Sequence, residues 1–211
     1  MKRSGPLFTL FAGLALGLIM LSLNATTGEA GAPYGGAPTA SPASTSPSVL
    51  PSPSKTARGK SAYAGRTDDD TAAVSVSVRG DRAVAYYCDG RTKESWLKGP
   101  VGADGSMKLS GAHGARLTGS LRNDRIRGTV EAGGRPAAFT AKKAVKPSGL
   151  YRATTEVRGA TIDGGWIVLP DGRQVGIVTR DAVPTAAPRI DPETGAVTVD
   201  GERLTARPVV P

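Results

Sequence analysis

Leu117-Thr118-Gly119-Ser120-Leu121-Arg122-Asn123-Asp124-Arg125-Ile126-Arg127-Gly128-Thr129-Val130 carries one short phrase twice: apolar, any residue, glycine, any residue, apolar. The phrase also occurs at Leu97-x-Gly99-x-Val101, and Met107-x-Leu109-x-Gly111 is a shorter relative. An extended strand sends alternate side chains to opposite faces, so the apolar residues and the glycine share one face. A glycine there leaves room for a crossing neighbour or a sharp bend. Several such strands in a row predict an antiparallel meander forming a small barrel or a curled sheet.

The chain on either side reads the same way. Val74, Val76 and Val78 alternate with Ser75 and Ser77, Gly80-Asp81 predicts a two-residue turn, and Arg82 to Cys88 is a second run. Phe139 and Ala141 are inward residues of a later strand. Gly165-Trp166-Ile167-Val168-Leu169, the turn Pro170-Asp171-Gly172 and the run from Arg173 to Thr179 predict a hairpin, with Trp166 in the core. Pro184 and Pro188 predict a break. Ala196 to Val199, Asp200-Gly201 and Glu202 to Ala206 predict a last hairpin around a type I′ turn. From Ala62 onward no stretch of a dozen residues has a helical period, so the fold class is all-β. The last hairpins fit either an extension of the first sheet or a separately packed unit.

The N-terminus sets the expected compartment. Lys2 and Arg3 precede an uncharged stretch whose apolar heart, residues 7–23, has 17 residues. That length lies where cleaved signals (roughly 7–15) give way to spanning helices (roughly 17–25). A single-pass membrane anchor with the C-terminal part outside is therefore expected, the alternative being secretion after cleavage near Ala30. No cysteine lies nearby to carry a lipid. Residues 31–61 are Pro, Ser, Ala, Thr and Gly with almost no apolar bulk, a composition that reads as a disordered linker. About 30 such residues would reach some 90 Å at roughly 3.1 Å each. The expected organisation is a signal or anchor at 1–30, a linker at 31–61, a β-meander domain at 62–148 and a C-terminal hairpin portion at 149–211.

Three segments carry a resemblance: Ala85-Tyr86-Tyr87-Cys88-Asp89-Gly90, Gly149-Leu150-Tyr151-Arg152, and Gly165-Trp166-Ile167-Val168-Leu169-Pro170-Asp171-Gly172. In these the chain, from about Tyr63 to Thr179, resembles exported, membrane-anchored, β-rich proteins of the actinomycete type. The resemblance implies an extracytoplasmic β module and brings no activity with it.

The 211 residues carry a formal net charge of +9; from Ala62 onward there are 22 basic and 17 acidic residues, a mild excess of five. Such an excess permits attraction to anionic polymers or headgroups. Chemistry has few footholds. His113 is the only histidine and sits in a glycine-flanked turn, so a histidine-based triad or zinc site has no second imidazole. Cys88 is the only cysteine, which excludes an intrachain disulfide, and its setting reads as structural. Asp68-Asp69-Asp70 lacks the alternate ligand spacing of a calcium loop. Gly133-Gly134 and Gly164-Gly165 lack phosphate-loop spacing. No cofactor is expected.

Two surface features remain. Lys108, Arg116, Arg125, Arg127 and Lys142 fall opposite the apolar-glycine face, where they would form a cationic sheet face. Trp96 falls opposite Leu97, either as an exposed contact residue or beneath the C-terminal portion. The expected function is a noncatalytic interaction or cell-envelope module, with an anionic wall polymer or an envelope protein as partner and no nucleic acid. The alternatives are an exported hydrolase using carboxylates such as Asp89, Asp163 or Asp171, and a small-ligand barrel.

Overall fold

The computed structural model describes residues 59–157 and 159–211. The expected anchor at residues 7–23 and most of the expected linker lie outside the described residues. Among the described residues no helix is long and apolar enough to cross a membrane.

Eight strands follow one another: β1 (Ser61–Thr67), β2 (Ala73–Arg79), β3 (Arg82–Cys88), β4 (Glu94–Pro100), β5 (Ser106–Gly111), β6 (Arg116–Arg122), β7 (Arg125–Glu131) and β8 (Ala137–Ala144). Each pairs antiparallel with the next, and β1 pairs with β8 to close a barrel. The glycine phrases lie on β4, β6 and β7 as expected. The lumen is packed with side chains, among them Tyr63, Val74, Val76, Val78, Leu97, Met107, Leu109, Leu117, Ile126 and Phe139. Each fully buried aliphatic or Phe side chain contributes roughly 1.5–3 kcal/mol.

The inward glycines have a steric reason. A Cβ on Gly65 would meet the Thr140 carbonyl oxygen, one on Gly99 the Lys108 carbonyl, and one on Gly128 the Thr118 carbonyl. Neighbouring backbones approach there because the barrel is narrow and its strands bend sharply. Tight turns do the rest. Gly80 has φ +61 between Arg79 and Arg82, and Asp200-Gly201 has φ +51 and +83, the two positive values a type I′ turn requires.

The second portion has its own sheet: β9 (Gly149–Val157), β10 (Ala160–Val168), β11 (Gln174–Arg180), β12 (Val183–Ala186), β13 (Ala196–Val199), β14 (Glu202–Thr205) and β15 (Arg207–Pro208). Five of these form a sheet in the order β12-β11-β10-β9-β15, and β13 and β14 form a separate hairpin. One face of the sheet packs on the outer side of β1–β3, burying Ala64, Ala73, Tyr86 and Cys88 against Leu150, Ile167, Leu169 and Ile177. The other face, with Tyr151, Ile162, Trp166 and Val178, is covered by the hairpin through Val197 and Val199. Trp166 is buried as expected, and its Nε1–H donates to Pro188 O at 2.7 Å.

One strand is buried on both faces, and one expectation is corrected. Ser75 and Ser77, the polar half of the β2 alternation, are as buried as the valines, because the sheet covers them; Ser75 Oγ donates to Tyr63 O at 2.8 Å. Pro184 does not break the chain but lies inside β12, opposite Thr179. That strand is a sheet edge, where a missing N–H costs no ladder bond. Alternation from the Ala187 N–H, which donates to Gly176 O, turns the Pro184 nitrogen to the open side and blunts that edge.

Gly65→Ala should destabilise the protein by about 1–3 kcal/mol or more through overpacking against the Thr140 carbonyl. Gly134→Ala, where nothing lies within 4 Å, should change stability by less than about 0.5 kcal/mol. Denaturant titration of the two variants beside the unaltered protein measures the contrast.

Candidate functional site

Polar and aromatic side chains gather at the rim of the contact between barrel and sheet. Tyr86 on β3 and Trp96 on β4 are directly opposite in register and point out of the barrel. Their ring centroids are 4.3 Å apart with planes at 33°. Gly165 on β10 admits them: a Cβ there would lie 2.5 Å from Tyr86 Cζ and 2.9 Å from Trp96 Cζ2. Opposite Gly165 stands Arg152 on β9, whose guanidinium carbon lies 4.6 Å from the centroid of the Trp96 ring. Stacking of this kind contributes about 0.5–1 kcal/mol at an exposed site.

Arg152 is held by Asp163, its Nε and Nη2 donating to Oδ1 and Oδ2 at 2.9 and 2.5 Å. Thr154 Oγ1 donates to the same Oδ1 at 3.0 Å. The Tyr86 hydroxyl donates to Glu94 Oε2 at 2.6 Å. Burial pushes the Glu94 carboxyl above its ordinary value and the charge of Asp163 adds to this, while the Tyr86 bond and Arg152 oppose it. Burial holds the Tyr86 hydroxyl well above its ordinary range, with Cys88 and Glu94 adding to the effect. The hydrogen bonds to Asp163 raise the Arg152 guanidinium further.

Chemically, the cluster is a nearly closed network. Both Asp163 oxygens are engaged. Glu94 keeps one oxygen outside its bond to Tyr86, beside a groove of about 430 Å³ lined also by Lys93, Trp96, His113, Thr179 and Pro184. The other carboxylates named for hydrolysis close their own turns: Asp89 Oδ1 accepts the N–H groups of Arg91, Thr92 and Lys93, and Asp171 accepts from Arg173.

The remaining sequence candidates separate in space. His113 is exposed in a single 3-10 turn, Ala112–Gly114, with φ +53. Cys88 is buried in the contact, and burial pushes its thiol up to about 11. Asp69 accepts from the Thr71 N–H and hydroxyl, and Asp70 pairs with Arg66. Among the described residues no group of three or more His, Cys, Asp or Glu side chains could hold a metal ion. Trp96 lies half-buried between Tyr86 and Arg152.

Lys108, Arg116, Arg125, Arg127 and Lys142 come together elsewhere. All five are exposed on the outer side of β5–β8, away from the β1–β3 arc that the sheet covers. None makes an ion pair with another described residue. The only acid among the outward residues of these four strands is Glu131, opposite Arg116. Arg122 joins the group. Its alternation with Arg116 along β6 was the available signal. The Tyr86–Glu94–Arg152–Asp163 cluster was missed as a unit, although Tyr86, Arg152 and Gly165 lie in the three segments that carry the resemblance. Those segments meet at the barrel–sheet contact.

A thiol of pKa about 11 is roughly one thousandth ionised at pH 8, and thiolate is the reactive form. Alkylation of Cys88 by iodoacetamide should therefore be at least about a hundredfold slower in the folded protein than in denaturant. The sign for Glu94 follows from linkage. The unfolded side chain releases its proton near 4.5 and the folded one only at higher pH, so folding stability falls as pH rises from 4.5. Glu94→Gln should remove that fall, so that its stability relative to the unaltered protein grows between about pH 4 and pH 7 in denaturant titrations. No family model matches this chain, and neither does any curated protein or solved structure.

Proposed function

We propose that the chain is a noncatalytic interaction module, tethered outside the cytoplasmic membrane, that holds an anionic component of the envelope on the outer face of β5–β8. The observation that carries this reading is the arc of exposed cations, Lys108, Arg116, Arg125, Arg127 and Lys142, without ion-pair partners among the described residues. A surface of one sign attracts polyanions and speeds their encounter. The export segment and linker expected at residues 1–61 would present this arc beyond the membrane. The filled lumen leaves little for a small-ligand barrel. A carboxylate-dependent hydrolase has one feature in its favour, the open oxygen of Glu94, but the neighbouring Asp163 is tied to Arg152 and Thr154.

Reversing all five charges to Glu in the full-length protein should abolish salt-sensitive retention on isolated cell envelope, while the far-ultraviolet circular dichroism stays that of a β protein. Retention of the reversed protein at the same salt concentration as the original would eliminate the reading.

A further inference from the structure

Within the cationic arc one place is unlike the rest. Arg122 on β6 stands directly opposite Arg125 on β7, which stands directly opposite Lys142 on β8. Three cations thus occupy one cross-strand row, all exposed and, among the described residues, none with its side chain in an ion pair or a hydrogen bond. Like charges directly opposite on paired strands are destabilising. Of the nearby acids, Asp124 pairs with Lys143, while Asp104 accepts from the Ser106 N–H and hydroxyl and its charge also attracts Arg122. The row is therefore three like charges side by side, with Asp104 offsetting part of the repulsion at Arg122 and solvent screening the rest.

The next row offers hydroxyls. Arg127 lies between Ser120 and Thr140. Donors therefore converge from three adjacent strands spaced about 4.8 Å apart. Guanidinium forks match the oxygens of carboxylate and phosphate alike in pairs, but donors on three strands can engage the three or more oxygens of a tetrahedral anion at once, where a carboxylate offers two. From this place the cations trail away across the arc. Arg127 is one row on, Lys108 two rows and Arg116 three rows, with Lys98 beside it across Ser110. Each row advances two residues, or about 7 Å. A chain bearing repeated phosphates can follow such a track. A flat bilayer meets a convex barrel along a narrow line only, and the outward strand residues between these cations are Ser, Thr and Ala; the one large exposed apolar side chain nearby is Val145, just past the end of β8.

We infer that Arg122, Arg125, Arg127 and Lys142, with Ser120 and Thr140, form a phosphate subsite that anchors a polyanionic phosphate-bearing chain laid toward Lys108 and Arg116. This rests on the module reading above and names the ligand class of the same face. The test uses the full-length protein in neutral detergent with long-chain inorganic polyphosphate, polyglutamate of matched charge, and vesicles of anionic phospholipid. Two double variants remove two charges each: Arg125→Gln with Lys142→Gln in the row, and Lys98→Gln with Lys108→Gln at the far end of the track.

The row variant should bind polyphosphate about tenfold more weakly or worse, and the far variant less than about threefold more weakly. The unaltered protein should bind polyglutamate at least about tenfold more weakly than polyphosphate. Without ligand in low salt the row variant should melt at the same or a higher temperature, since it relieves the repulsion, so that weaker binding is not unfolding. Equal losses in the two variants, equal binding of polyglutamate, or vesicle binding that polyphosphate does not displace would overturn the phosphate assignment. If the assignment fails while the five-site charge reversal still releases the protein from envelope, the module reading stands; if both fail, it falls as well.

Discussion

Closure of β1 onto β8 is the constraint from which the other features follow. Tyr63 opposite Lys143 and Gly65 opposite Ala141 fix the register of the closing pair, and Gly65 lets the Thr140 carbonyl come close. Once the sheet is closed, alternation leaves each strand residue one of two places, lumen or exterior. Apolar side chains line the lumen and pack against one another, and this core rather than a disulfide holds the strands. The exterior then divides into two arcs. One is dry, beneath β9–β11, and the other faces water and is basic.

The dry arc explains the polar cluster. At its centre, Ala64, Tyr86 and Cys88 meet Leu150, Ile167 and Ile177, and polar groups there are few and satisfied. Toward the rim the environment becomes partly wet, and charged side chains can be kept only in pairs. Arg152 with Asp163, and Glu94 with the Tyr86 hydroxyl, are the pairs that edge demands. The raised Glu94 carboxyl and the raised Cys88 thiol are consequences of the same burial. The cluster reads first as the seal of the contact, and the open oxygen of Glu94 is what remains of it for solvent.

Strands and turns were legible because their signals are local. The valines of β2, the inward glycines of β4, β6 and β7, and Asp200-Gly201 each decide their own geometry within a few residues. What escaped was set by partners distant in sequence. Nothing between Ala73 and Arg79 announces that Ser75 and Ser77 will lie under β9–β11. Nothing near Arg207 announces that β15 will pair with β9, and Pro184 is tolerated only because its strand ends up on an edge. Alternation puts Trp96 on the outside of the barrel, either exposed or beneath the C-terminal portion; it lies half-buried beside Gly165, and its neighbours Tyr86 and Arg152 required the register of two different sheets. The basic arc was legible, since it follows from alternation alone, but the Arg122–Arg125–Lys142 row needed the pairing of β6, β7 and β8.

That row bears on why these residues are basic at all. Lysine and arginine on strands commonly guard exposed edges against pairing with another chain. β6 and β7 have no open edge, since each is paired on both sides within the closed barrel. Solubility is served by mixed signs or by threonine, which has the better strand propensity and already stands at Thr118 and Thr129 on the same face. Edge protection and solubility therefore both leave three opposed cations unexplained, whereas an anion bridging them, as proposed above, would replace their mutual repulsion with attraction.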